Sequence, residues 1–183
     1  YKAASQNWMI MQSKTGWMYF ANNKGLLEFD GVNWAVYPIH NAKMRTVKAG
    51  EDGRIYVGGL QQFGYFVPNK LGRLDYVCLS DSIDKHMIGN IWNIHIAGNR
   101  IYFQSDHAIF YLEKERLHQI ACRDIIYSAL VDKRLYVAGN GLSVLNGDTL
   151  LQLPNSTSYI NNMSKRIVGI FPYQNKLLLV SNQ

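Results

Sequence analysis

Thr15-Gly16-Trp17-Met18-Tyr19-Phe20-Ala21-Asn22, followed by Gly25-Leu26-Leu27-Glu28-Phe29 and Asp30-Gly31-Val32-Asn33-Trp34, reads as turn, aromatic strand, polar loop, second strand and further turn. The same grammar returns four times. Asp52-Gly53-Arg54-Ile55-Tyr56-Val57-Gly58 leads to Phe63-Gly64-Tyr65-Phe66-Val67, and Gly98-Asn99-Arg100-Ile101-Tyr102-Phe103 leads to Ala108-Ile109-Phe110-Tyr111-Leu112. Asp132-Lys133-Arg134-Leu135-Tyr136-Val137-Ala138 leads to Gly141-Leu142-Ser143-Val144-Leu145, and Gln174-Asn175-Lys176-Leu177-Leu178-Leu179-Val180 opens a fifth copy. In each copy one residue (Tyr19, Tyr56, Tyr102, Tyr136, Leu178) follows the second turn residue by three positions, and these anchors lie 37, 46, 34 and 42 residues apart. A period of about 40 filled only with β signals predicts the four-stranded antiparallel blades of a β-propeller. Helical repeats would need apolar residues at i, i+3 and i+4 over many positions, and runs such as Arg54-Ile55-Tyr56-Val57 are too short for that.

The repeats divide the chain into blades over 6–40, 43–78, 89–121 and 124–154, with an incomplete blade over 165–183. Asp52-Gly53 and Gly98-Asn99 suit two-residue hairpins with positive φ, and Asp30-Gly31 and Asn146-Gly147 do the same between third and fourth strands. The stretches 80–89 and 155–165 lack a strand signal and fall between repeats. The recurring tyrosine is read as an inter-blade packing residue with its hydroxyl at the wetter edge.

With 48% apolar, 13% aromatic and 17% charged residues, the 183-residue chain has enough apolar surface for a core and too little charge for a disordered one. The net charge of +6 permits a nucleic-acid partner. However, Arg54, Arg100, Lys133, Arg134 and Lys176 sit at hairpin turns, one or two per repeat, and form no stripe, so they are expected to be solvated turn residues. No apolar run reaches the roughly 20 residues of a membrane-spanning helix, and no charged-then-apolar leader opens the chain. The pattern begins and stops within a repeat, so the chain is expected to be a fragment of a longer protein. Cys78 and Cys122 occupy comparable places in neighbouring blades, farther apart than the roughly 7 Å a disulfide spans, and are expected to be buried free thiols.

The stretch Ala21-Asn22-Asn23-Lys24-Gly25-Leu26-Leu27-Glu28-Phe29-Asp30-Gly31-Val32-Asn33-Trp34 resembles the repeats of the periplasmic sensor regions of Bacteroides-type hybrid two-component systems and related membrane-tethered one-component regulators. Gln6-Asn7-Trp8 and Gln62-Phe63-Gly64-Tyr65-Phe66 are similar to that family too; the likeness is tight over 6–67 and looser beyond. The resemblance implies seven-bladed propellers, a β-sandwich, a membrane span and a cytoplasmic output module, with many members sensing oligosaccharides. This chain would then hold about four and a half blades of an incomplete seven-bladed propeller. It would be periplasmic, completed by the remaining blades of the same propeller, homodimeric through its parent protein, and tied to the membrane only through segments it does not contain. A histidine kinase module would belong to the full-length parent.

Catalytic signatures are absent from the sequence. His40, His86, His95, His107 and His118 lack metal-ligand spacing, and no HExxH, CxxC, GxSxG, DxDxDG or phosphate-loop pattern occurs, so neither cofactor nor metal is expected. His95, on a first strand, is read as a hydrogen-bonded channel residue. A propeller glycosidase or lyase would need converging carboxylates. Asp30, Asp52, Asp132 and Asp148 belong to turns, which leaves Glu51, Asp84 and Asp106 as acids to test.

In a propeller the loops between second and third strands, and those joining successive blades, share one face, and rigidly held loops suit binding. Candidate ligand contacts from the first group are Asn22, Asn23, Gln61, Gln62, Asp106, His107 and Asn140; those from the second are Arg45, Asn90, Trp92, Arg123 and Asn161. Amides, guanidinium groups and an aromatic plate match the paired hydroxyls and apolar faces of a sugar. The expected function is a ligand-sensing extracytoplasmic propeller module of a membrane-spanning regulator responding to oligosaccharides, binding no nucleic acid and not itself an enzyme. A protein-interaction scaffold is the alternative, and a glycan-active enzyme a third reading.

Overall fold

A computed structural model describes residues 3–41, 43–122, 124–162 and 167–182, apart from the side chains of residues 159, 161 and 162. The described residues form four four-stranded antiparallel sheets and one two-stranded sheet, each with its strands in chain order. The first sheet holds β1 (Asn7–Gln12), β2 (Met18–Asn22), β3 (Gly25–Phe29) and β4 (Trp34–Pro38); the second β5 (Met44–Ala49), β6 (Ile55–Gly59), β7 (Gln62–Pro68) and β8 (Leu74–Cys78). The third holds β9 (Ile91–Ala97), β10 (Arg100–Ser105), β11 (Ala108–Glu113) and β12 (Arg116–Ala121); the fourth β13 (Tyr127–Val131), β14 (Arg134–Ala138), β15 (Leu142–Asn146) and β16 (Thr149–Gln152). β17 (Ile167–Tyr173) pairs with β18 (Lys176–Ser181). The segments without a strand signal contain two short helices, α1 (Lys85–Ile88) and α2 (Ser156–Asn162). Neither is long and apolar enough to cross a membrane.

The anchors sit in register. Tyr56 pairs with Tyr65 and Tyr102 with Tyr111, while Tyr19 pairs with Glu28 and Tyr136 with Val144. Tyr19, Tyr56 and Tyr102 are buried, and the Tyr56 hydroxyl donates to Asp52 Oδ2 at 2.7 Å, at the turn edge. The hairpins differ from one another. Asp132-Lys133 (φ 48° and 63°) and Gln174-Asn175 (φ 43° and 61°) are two-residue turns of the type I′ kind. The Asp52-Gly53 turn is longer than expected: Gly50 N–H donates to the Arg54 carbonyl at 2.8 Å and encloses three residues, with Gly53 at φ 78°. Ser13 and Trp17 close the same kind of loop at 2.8 Å. A three-residue loop needs a left-handed final residue, and both glycines supply one.

Two compact units divide the chain, Tyr1–Ile94 and His95–Gln183. In the first unit Tyr19, Ala21 and Leu26 pack with Val47, Ile55, Val57 and Phe66 of the next sheet. In the second unit Tyr102, Ile109 and Tyr111 pack with Leu135 and Val137, and Ala138 and Leu142 pack with Ile167 and Ile170. Second and third strands are apolar on both faces because a sheet covered on either side loses its polar alternation. Fourth strands, such as β12 and β16, are mostly exposed.

Of the basic turn residues, Lys133, Arg134 and Lys176 are exposed as expected, whereas Arg54 and Arg100 are more engaged than simple solvation requires. Arg54 lies 4.4 Å from the ring centre of Tyr65, and Arg100 lies 4.6 Å from that of Tyr111, the same position one repeat later. Arg100 also grips both Glu113 carboxylate oxygens, which holds that carboxyl below its ordinary range, and donates to Asp148 Oδ1 at 2.8 Å; Tyr111 first and then Arg100 lower the Asp148 carboxyl. Cys78 and Cys122 are free, as expected, but half-buried. Burial pushes the Cys122 thiol up to about 11.

Candidate ligand-binding site

Trp8, Arg45 and Trp92 are the second residues of β1, β5 and β9. Pairing in β1 jumps from Asn7–Asn22 to Met9–Ala21, and in β5 from Met44–Gly59 to Thr46–Gly58. Trp8 and Arg45 are thus the extra residues of two β-bulges, a device that turns a side chain out of the sheet's alternation. The Arg45 guanidinium carbon lies 4.2 Å from the Trp8 ring centre and 4.8 Å from that of Trp92. Arg45 Nε donates to Asn90 Oδ1 at 2.9 Å. Its buried Nη1 meets no acceptor among the described residues, so the negative faces of two indoles stand where an anion would otherwise be needed.

Trp8 remains 45% exposed. Its indole N–H donates to Asn23 Oδ1 at 2.8 Å, which fixes the amide's orientation and leaves the Asn23 Nδ2 hydrogens unclaimed among the described residues. Asn23 also lines an open cleft of about 610 Å³ between the β2–β3 hairpin and the connection from β4 to β5. Pro38 and Ile39 provide its apolar surface; Lys24, His40, Asn41 and Lys43 complete the lining.

Two glycines let that connection lie close against the sheets. A Cβ on Gly25, at φ 135°, would stand 2.2 Å from the Tyr37 carbonyl oxygen, and one on Gly59 would stand 2.2 Å from that of Lys43. Ile39 N–H donates to the Lys24 carbonyl at 3.1 Å, and Leu60 N–H to that of Lys43 at 3.1 Å.

Of the residues singled out in the sequence, the structure brings Asn23, Arg45, Asn90 and Trp92 into this one cluster through Trp8. Gln61 lies beside it: φ is 56°, and its N–H donates to the Gly89 carbonyl at 2.7 Å. Gln62 spends its amide on Cys78 Sγ. Asn22 is wholly buried and is a brace instead of a ligand contact. Its Nδ2 donates to the Ala4 and Gln6 carbonyls and to Asn7 Oδ1, while its Oδ1 accepts from Ala4 and Lys24 N–H. Arg123 and the Asn161 side chain lie outside the described residues.

Asp106, His107 and Asn140 belong to loops of the second unit, with His107 and Asn140 exposed. His95 Nε2 lies 2.8 Å from Ser128 Oγ, which donates to Gln104 Oε1 at 3.1 Å. His95 is hydrogen-bonded, as expected. Of the acids to test, Glu51 pairs with Lys14 at 2.6 Å and Asp84 accepts from His86 N–H at 2.9 Å as the cap of α1. No group of three His, Cys, Asp or Glu side chains among the described residues has metal-binding geometry.

Trp8, Lys24, His40, Asn41 and Lys43 were not among the expected contacts. Trp8 had a signal. It precedes its anchor Tyr19 by 11 residues, as Arg45 precedes Tyr56 by 11 and Trp92 precedes Tyr102 by 10. The others sit in a hairpin tip and a between-blade connection, where the repeat leaves no pattern.

No protein-family model matches the sequence, and comparison with curated proteins gives no significant match. Solved structures are similar in fold. The extracellular domains of two B. thetaiotaomicron proteins assigned as hybrid two-component systems superpose with TM-scores of 0.71 and 0.69 at 12% identity. They cover 97% and 99% of this chain, which spans 25% and 26% of theirs. Virginiamycin B lyase from Staphylococcus aureus superposes with a TM-score of 0.68 at 15% identity, over 97% of this chain and 65% of the lyase. The fold is therefore that of β-propeller blades.

Proposed function

We propose that this chain is a ligand-sensing, extracytoplasmic propeller module of a membrane-spanning regulator, of hybrid two-component or one-component type, and that its ligand is an oligosaccharide. The observation that carries the reading is the Trp8–Asn23 pair. An exposed indole with its N–H already satisfied offers a ring face to the apolar side of a sugar, and the adjoining amide offers donors to a hydroxyl. The cleft beside it falls within the range of small-ligand sites, about 300–1,000 Å³. The likeness in fold to extracellular domains of regulators supports the sensor role and a periplasmic place.

Thermal-shift and calorimetric titration of the chain against oligosaccharide pools tests the proposal. A ligand at a hundred times its dissociation constant stabilises the fold by roughly 2.7 kcal/mol, a clear rise in melting temperature. Absence of any shift, together with capture of a defined protein partner, would establish the scaffold instead. Turnover of a glycan would establish an enzyme.

A further inference from the structure

The charge of the cleft narrows the ligand, given that the site binds a saccharide at all. Among the described residues Lys14 pairs with Glu51, Arg54 with Asp52, and Arg100 with Glu113 and Asp148, while other lysines such as Lys70 and Lys133 have no such partner. Lys24 and Lys43 are of the second kind, and their place sets them apart. Both are exposed, both line the cleft, and neither has a side-chain hydrogen bond or ion pair among the described residues. His40 and Asn41 beside them are equally unclaimed, and the lining contains no carboxylate.

The backbone of both residues is anchored. The Lys24 carbonyl is tied to Ile39 and the Lys43 carbonyl to Leu60, and both lysines line the same cleft. Two ammonium groups at one concavity repel each other, and an anion between them removes that repulsion. We propose that the cleft takes an acidic saccharide, one bearing a carboxylate or sulfate. Its charged substituent lies between Lys24 and Lys43, and its ring lies toward the Trp8–Asn23 pair.

The test is calorimetric titration of the full chain with oligogalacturonate, a sulfated chondroitin disaccharide, a neutral galacto-oligosaccharide and inorganic sulfate. The K24Q/K43Q double variant is titrated alongside; both side chains are exposed and unpaired, so its melting temperature is expected to match the parent's. The proposal expects one acidic sugar to bind in preference to the neutral one, with affinity falling about tenfold in K24Q/K43Q and falling again with added salt. The carboxylate and sulfate arms then identify which substituent is read. Equal binding of neutral and acidic sugars, indifference to K24Q/K43Q, or inorganic sulfate binding as tightly as the sulfated sugar would each overturn the charge assignment while leaving a saccharide sensor standing. Failure of every sugar would remove both readings.

Discussion

Arg45 lies face-on to Trp8, its guanidinium carbon 4.2 Å from the indole centre, and both residues are the bulged members of successive first strands. The stack joins the first two sheets and continues to Trp92. Cation–π contacts contribute roughly 0.5–2 kcal/mol each, and a hydrogen bond to a charged group about 1.5–3. Arg45→Ala is therefore expected to lower unfolding free energy by about 2–4 kcal/mol in urea denaturation. Arg45→Lys keeps the charge but not the flat fork, and should fall between the two. Wild-type stability in Arg45→Ala would show that the stack is incidental.

Asn22 tests the N-terminal brace. Its amide satisfies groups on residues 4, 6, 7 and 24 from a wholly buried position. Asn22→Ala strands several of those groups, for an expected loss of about 2–4 kcal/mol. Asn22→Asp replaces the donating Nδ2 with an acceptor aimed at the Ala4 and Gln6 carbonyls, so it should be at least as damaging at neutral pH. Limited proteolysis should cut near residues 4–7 faster in both variants, and unchanged cutting would deny the brace.

Gly16 and Gly25 both have positive φ, yet their surroundings predict different outcomes. Nothing lies within 4 Å of a Cβ built on Gly16, whereas on Gly25 it would meet the Tyr37 carbonyl oxygen at 2.2 Å. Gly16→Ala should cost only the left-handed backbone penalty, about 1–2 kcal/mol. Gly25→Ala adds a backbone collision in the wall of the cleft and should cost at least twice as much, measured by thermal unfolding. Equal losses would mean that the connection from β4 to β5 can move aside freely.

The parts legible in the sequence were those the repeat constrains. A tyrosine at the centre of a buried strand recurs because the same inter-sheet space must be filled each time, so Tyr19, Tyr56 and Tyr102 could be aligned by eye. Arg45, Asn90 and Trp92 were reachable because they begin strands or immediately precede them. Asn22 misled because an asparagine in a polar loop looks the same whether its amide meets water or five backbone and side-chain partners. The cleft was invisible because 38–43 has no counterpart in the other repeats, and only the folded chain brings Lys43 and Lys24 to one cleft. Turn length escaped for a similar reason: Asp52-Gly53 fits a two-residue hairpin as well as the end of a three-residue loop.

Glu28 gives the fold a pH dependence whose sign follows from its surroundings. It is buried opposite Tyr19, accepts the Tyr37 hydroxyl at 3.0 Å, and has its carboxyl raised above the ordinary range, chiefly by burial and further by Asp30. The hydrogen bonds from Tyr37 and Tyr19 oppose that rise without cancelling it. The Tyr37 hydroxyl, itself desolvated and facing Glu28, is pushed up to about 12 and stays protonated through the neutral range. Between the unfolded and folded values of Glu28 the native chain therefore holds the extra proton. Its stabilising contribution is complete below the unfolded value and is lost as pH rises through the folded one. Glu28→Gln should remove that part of the slope and leave the protein at least as stable at neutral pH, read from melting temperatures between pH 4 and pH 8. A parent and variant with parallel profiles would mean that Glu28 titrates as an ordinary carboxyl.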